Sequence, residues 1–365
     1  MPATNIVLAV WDEPFVDKFV TYSMGSMLHP DNVPALTARR EVRLQLFTDR
    51  ASEAYFCDRA AALLNFVDLD VFTFEDTVVD GRTIAEAIAP LEGPTVKHEV
   101  ERLAQFHAID TTLAQDGDNS IFLIGADSLL FEGSFGYAQD LLDRGAEVVA
   151  TPFLRLAMDA FVRGDSAHLH PVTRSWIADS DRFTTYPSTI MWPVRDLGYV
   201  CHTFFPVPIA FKPTPRCTRF DRTIDYDFAV QMASDPSAIA TPRTSQEFLF
   251  CKLTTEDYLA NEASENKLTV TRITHFLLTE TNQAHRALVS QPYRILGSEG
   301  TEGAEELWAA VETHAAQFID QAYALRDAVI EKLPPDTPGL QQSIEAHFGP
   351  IENYQRPPRA EYNPN

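Results

Sequence analysis

Four groups of side chains in this sequence have the types and spacing that chemistry requires. The first is a lone carboxylate, Asp127, in the segment IFLIGADS, where an apolar run ends on Gly-Ala-Asp-Ser. In open α/β sheets ligands sit at the carboxyl ends of the strands, because the loops there diverge and leave a crevice. A carboxylate just past such a strand is placed to hold a metal–diphosphate or a ribose hydroxyl. The plainer alternative is that Asp127 and Ser128 cap the turn or helix that follows. The second group is Asp225-Tyr226-Asp227, with Asp221 just upstream. Such a cluster is also what a solvated helix start looks like, since acids there suit the helix dipole. The third is histidine. His168 and His170 form H-x-H, which on a strand puts both imidazoles on one face and can make a metal pair; two histidines on a surface loop are the blander reading. His202 sits in CHTFFP, while His98 and His107 fall on a helix and read as packing. The fourth group is the strand-end pairs Trp11-Asp12 and Thr48-Asp49.

The elements that must position these groups are legible as alternating periodicities. NIVLAV (5–10), VRLQLF (42–47), LDVFTF (69–74), IFLIGA (121–126) and EVVAT (147–151) are short apolar runs of strand length. Between them, residues 15–27 have helical spacing and the Ala-rich stretch 52–66 looks helical. Val96, Val100, Leu103, Phe106, Ile109 and Leu113 recur every three or four positions, the mark of an amphipathic helix. A helix over about 137–144 is closed by Gly145. Strand–helix alternation of this kind predicts an α/β fold, with a mostly parallel central sheet flanked by helices. From about Thr151 the segments shorten and Pro, His and aromatic residues multiply. A long helix is expected over 303–333, with Leu307, Val311, His314, Phe318, Ala322, Leu325 and Val329 on one stripe. This gives a catalytic domain over 1–235, a mixed and mainly helical C-terminal part over 236–335, and a Pro-rich tail over 336–365.

Composition removes several functions. The formal net charge of −23 repels phosphate backbones and anionic lipid surfaces, so nucleic acid is not an expected partner. A small nucleotide site is still allowed, provided it is locally positive or recruits a cation. The four cysteines form no C-x-x-C pair. The N-terminus lacks a basic n-region and no stretch approaches the ~18 apolar residues of a membrane span, so a cytoplasmic location is expected. The sequence has no P-loop, no G-x-G-x-x-G after its first strand and no G-x-S-x-G elbow.

The run KHEVERLAQFHAID, then FLIGADSLLFEGS, then DLLDRGAEVVATPFLRL resembles the sheet centre of bacterial GT-A type nucleotide-diphospho-sugar glycosyltransferases. HPDNVPAL, LQLFTD, HTFFPVPIAF and RTIDYDF extend the likeness over roughly residues 5–230. The resemblance implies a GT-A, Rossmann-like sheet and a hexosyltransferase-like enzyme. It implies a nucleotide-sugar donor, a glycan or small hydroxyl acceptor, and a role in bacterial surface glycan synthesis. It also implies Mn²⁺ or Mg²⁺ held at Asp127, with His202 touching the metal or donor diphosphate beside Ser128. Trp11, Thr48 and Asp49 would meet the base and ribose, and Asp225 or Asp227 would be the general base. The family's acidic motif usually has two acids, and this sequence has one. Either Asp127 binds the ion with help from elsewhere, or basic side chains such as Arg155 or Lys212 neutralise the phosphates. Two other functions stay open: a nucleotidyltransferase on a similar sheet, and a non-catalytic scaffold or homo-oligomer assembled through the 303–333 helix.

Overall fold

The computed structural model describes residues 2–152, 154–157, 183–185, 189–194, 197–203, 207–215, 217, 233, 236–254, 274, 277–278, 291–297 and 304–332. Asp221, Asp225 and Asp227, the His168/His170 pair and the tail over 336–365 lie outside these residues.

The first strands are β1 (Ala3–Ala9), β2 (Glu41–Thr48) and β3 (Asp68–Thr73), then a small hairpin of β4 (Val78–Val79) and β5 (Arg82–Thr83). They are followed by β6 (Ser120–Ile124), β7 (Ser128–Leu130), β8 (Val148–Thr151), β9 (Leu154–Ala157) and β10 (Phe183–Thr185). The remaining strands are β11 (Thr189–Pro193), β12 (Gly198–Thr203), β13 (Val207–Phe211), β14 (Ile239–Ala240), β15 (Phe250–Thr254) and β16 (Tyr293–Leu296). Seven of them form the central sheet in the order β14-β8-β13-β6-β1-β2-β3. Every pairing in it is parallel except the two made by β13, which runs antiparallel to both β6 and β8. The expected α/β class with a mostly parallel sheet is therefore observed. Chain order reverses between β1 and β6, and this switch point is where an open α/β sheet leaves its crevice.

The two faces of the sheet are read from alternation along its strands. Ile6, Leu8, Leu44, Leu46, Phe122 and Ile124 pack on one side. They meet Val16 from α1 (Glu13–Lys18), Met27 from α2 (Met24–Met27) and Val33 from α3 (Val33–Thr37). Phe56 from α4 (Arg50–Arg59), Leu63 from α5 (Ala61–Leu64) and Leu142 from α8 (Ser134–Asp143) complete that face. Val7, Phe47, Ile121, Val148 and Ala150 face the other side, against α6 (Ile84–Ile88) and α7 (Pro94–Leu113). His107 of α7 is packed edge-on against Phe47 and Phe72, the packing role its spacing predicts.

Two smaller sheets are layered beyond the carboxyl edge of β6. One has the order β10-β9-β15-β7 and the other β11-β12-β16. Leu129, Leu154, Leu156, Cys251 and Leu253 from the first pack against Cys201, Tyr293 and Ile295 from the second. A Cβ on Gly198 would lie 1.9 Å from the Ile295 carbonyl oxygen at a backbone φ of +131°, so β12 can approach β16 there only as glycine. The long C-terminal helix α9 (Glu305–Lys332) covers the outer face of the second sheet, with Trp308 against Val200 and Leu296. Its buried face carries Trp308, Ala315, Ile319, Ala322, Tyr323, Arg326 and Val329. The stripe expected from spacing is thus corrected in part: Ala322 and Val329 are buried, whereas His314 is exposed and Leu307, Val311, Phe318 and Leu325 are only half-buried, because the buried face is centred on the row through Trp308, Ala315, Ile319 and Arg326. Among the described residues no helix is long and apolar enough to cross a membrane.

Candidate functional site

The site is built on the turn that links β6 to β7. Ser128 N donates to the Gly125 carbonyl at 3.0 Å, and Gly125 N donates to Ser128 Oγ at 2.9 Å, so Ser128 closes the Gly125–Ser128 turn from both ends. The preceding chain locks the same turn. After α1 the backbone passes through one π-helical stretch, Phe19–Ser23, and Ser23 Oγ donates to the Ala126 carbonyl at 2.8 Å. Short π segments inside helices often occur at functional sites; this one brings the end of α1, and with it Lys18, against the Asp127 turn.

Asp127 itself is largely buried, with 20% of its side chain exposed. Burial raises its pKa, but Lys252, Lys97, Lys18 and Arg155 outweigh that and bring it down to about 2. Lys252 Nζ stands 3.9 Å from Asp127 Oδ1. Lys18 answers in kind: burial lowers its pKa, Asp127 raises it, and Lys97 and Lys252 lower it further. Among the described residues, the strongest charges acting on Asp127 are all cationic, in a chain whose formal charge is −23.

Each cation comes from a different element. Lys18 ends α1 and Lys97 is in the first turn of α7. Because α7 crosses from the end of β3 back to the start of β6, its N-terminus lies at the carboxyl edge of the sheet. Lys252 pairs in register with Ser128 of β7 on one side and with Arg155 of β9 on the other. Residues in one register row share a sheet face, so Ser128, Lys252 and Arg155 point the same way, opposite to the apolar Cys251–Leu154 row. Of the two basic residues considered from sequence, Arg155 belongs to this cluster. Lys212 does not: it pairs with Asp118 at 2.8 Å, at the amino end of β6.

The other expected site residues fall in three places. Trp11 lies half-buried at the end of β1, edge-on to Phe74 at 5.6 Å. Asp12 follows with φ 60° and ψ 138°, a conformation few non-glycine residues adopt, of the kind that clusters at functional sites. Thr48 is fully buried at the end of β2, and its Oγ1 has no hydrogen-bond partner among the described residues. Asp49 is the N-cap of α4: its Oδ1 accepts from Ser52 N at 2.8 Å and its Oδ2 from Ser52 Oγ at 2.9 Å. Ser52 Oγ and Asp49 Oδ2 also receive Asp12 N, at 2.9 and 3.3 Å, which ties the ends of β1 and β2 together.

His202 is placed apart from Asp127. On β12 it is next to Cys201, which faces the apolar layer between the two small sheets. His202 therefore points out of that layer, toward α9, where Trp192 meets it edge-on at 5.5 Å and Phe318 meets Trp192 at 6.1 Å. Lys252 and Arg155 are on the opposite side of the same layer. Among the described residues no three His, Cys, Asp or Glu side chains gather as metal donors. A hard divalent ion takes six or more oxygens, and the described donors around Asp127 are one carboxylate, a turn-closing hydroxyl and several cations. Even with water and ligand phosphate completing the shell, that set fits such an ion poorly, because the cations already answer its one carboxylate.

Lys18, Lys97 and Lys252 had no signal in the sequence, because they are isolated lysines spread over 234 positions. A solitary Lys in the first turn of a long helix leading into the Asp127 strand was the nearest available hint. No family model matches the sequence. No curated protein matches it either. Among solved structures, mouse xyloside xylosyltransferase 1 in its apo form aligns with 42% of this chain and 52% of its own, at 8% identity and a TM-score of 0.27. Mannose-6-phosphate isomerase from Helicobacter pylori aligns with 42% of this chain and 51% of its own, at 11% identity and a TM-score of 0.23. The chain spans about half the length of each. Likenesses at this level carry no argument about function.

Proposed function

We propose that this chain is a glycosyltransferase, moving a sugar from a nucleotide-diphosphate donor to a hydroxyl acceptor, with the donor's diphosphate over the Gly125–Ser128 turn. One observation carries this: Lys252 stands 3.9 Å from Asp127 at the switch point of the sheet, in one register row with Arg155, and Lys18 and Lys97 add to the positive field there. That edge is where an α/β sheet binds its ligand, and in a chain this acidic a local concentration of cations is what an anionic ligand would need. The half-buried face of Trp11 at the end of β1 is available for the base, with Thr48 behind it. In the reaction, the acceptor hydroxyl attacks the anomeric carbon, the bond from that carbon to the diphosphate oxygen breaks, and a base takes the hydroxyl proton. Asp225 and Asp227 are our candidates for that base. Cations around the leaving diphosphate would stabilise the charge that develops on it.

A thermal-shift panel tests this reading. Nucleoside diphosphates and nucleotide sugars are compared with and without Mn²⁺. Binding to the native state at 100 times the dissociation constant adds about 2.7 kcal/mol of stability, so one nucleotide family is expected to raise Tm by several degrees. No shift with any nucleotide would sink the proposal and leave a scaffold role ahead. Retained donor binding without turnover in Asp225→Asn or Asp227→Asn would identify the base.

A further inference from the structure

The metal expected from the resemblance and the charges gathered at Asp127 point in opposite directions. An ion bound to this carboxylate would sit within about 2.6 Å of its oxygen. Lys252 Nζ is 3.9 Å from that same Oδ1, and Lys97, Lys18 and Arg155 add to the positive field there. Each of them repels a second cation, the more strongly the drier the site.

The same geometry suits an anion. Ser128, Lys252 and Arg155 stand in one row across three neighbouring strands. Lys97 comes with the first turn of a twenty-residue helix, whose leading N–H groups favour negative charge. Gly125 lets the turn close down on this row: a Cβ there would meet Asp127 Oδ1 at 3.0 Å, Ser128 Oγ at 3.3 Å and Lys252 Nζ at 3.5 Å.

We infer that Lys18, Lys97, Lys252 and Arg155 supply the counter-charge for the ligand's diphosphate in place of a divalent cation, and that Asp127 is a positioning residue that gathers those cations rather than a metal ligand. The inference rests on reading this turn as a diphosphate site. Before a ligand arrives, the carboxylate offsets the repulsion among the cations and holds Lys252 in place. When diphosphate binds, its oxygens share the same ammonium and guanidinium groups.

The experiment is calorimetric titration of inorganic pyrophosphate, and separately of a nucleoside diphosphate, into the full chain, in EDTA and again with Mn²⁺. Pyrophosphate is expected to bind in EDTA. Lys252→Met should weaken it by roughly tenfold or more and Lys97→Ala by about threefold, as loss of a charge-assisted contact does. Lys252→Arg should restore most of the loss, and Asp127→Asn, which keeps the side chain's size but loses the charge that gathers the cations, should weaken metal-free binding without abolishing it. Lys97 is half exposed on a helix surface, so its variant tests the idea even where the Lys252 variants fail to fold. In the wild type, affinity in EDTA should fall steadily with added NaCl.

Binding that appears only with Mn²⁺ and vanishes in Asp127→Asn would overturn the inference while leaving a metal-dependent transferase standing. Pyrophosphate binding in EDTA, sensitive to Lys252 and Lys97 but without any nucleotide binding, would uphold the inference and remove the transferase reading. No pyrophosphate binding under either condition would overturn it.

Discussion

The strands β2 and β6 both end in a carboxylate on the same edge of the same sheet, and the fold uses the two acids in different ways. Asp49 turns back onto its own chain: it caps α4 through Ser52 and accepts from Asp12 N. Asp127 makes no such cap. Its neighbours in sequence close the turn without it, and its charge is answered by side chains from α1, α7, β9 and β15. An apolar strand followed by Asp therefore marks a local cap in one place and a convergence of distant cations in the other. What separates them is Ser three positions after Asp49, the N-cap pattern, against a turn-closing Ser directly after Asp127.

The comparison can be broken most severely at Asp127. Asp127→Ala leaves several cations around a partly buried gap, and removal of one partner from such a set is expected to cost ~3 kcal/mol in urea unfolding. Acid should do the same reversibly. The carboxyl pKa is depressed from 3.8 to about 2 in the fold, so its stabilisation is complete above pH 4 and is lost as pH falls through about 2. The acid limb of a stability–pH curve should lose its steepest part in Asp127→Asn, and an unchanged limb would contradict the account. Gly125→Ala should be next, at about 1–2 kcal/mol, since the added methyl would press on Asp127 and Lys252. The smallest effect belongs to the other strand end: Asp49→Ala should cost only about 1 kcal/mol, the usual price of an N-cap, and Asp49→Ser should recover most of it. A cost at Asp49 equal to that at Asp127 would erase the distinction between them.

Sequence periodicity located the sheet well because its strands are buried on both faces and its helices are amphipathic; β1, β2, β3, β6, β8, α7 and α9 all fall where the spacing puts them, within a few residues. The 52–66 helix is interrupted at Ala60, and the 15–27 helix carries a π turn, details that depend on packing rather than on spacing. Asp127 was legible for the same reason as its strand. The basic partners were not, since a lone Lys has no periodicity and its meeting with Asp127 depends on a crossover helix and on strand pairing between residues 97 and 124 positions apart. The strand β12 had no such signal in the Pro- and aromatic-rich stretch after Thr151, and the side on which His202 emerges follows from its place one residue after Cys201 in that strand.

The most direct measurement compares a nucleoside with its own diphosphate by equilibrium binding to the wild-type chain and to Lys18→Ala with Lys252→Met. The account predicts that the diphosphate binds the wild type on the order of a hundredfold tighter than the nucleoside, as two or more charge-assisted contacts would give, and that the advantage collapses in the double variant. A diphosphate that binds no tighter than the nucleoside, or an advantage that survives loss of both lysines, would contradict it.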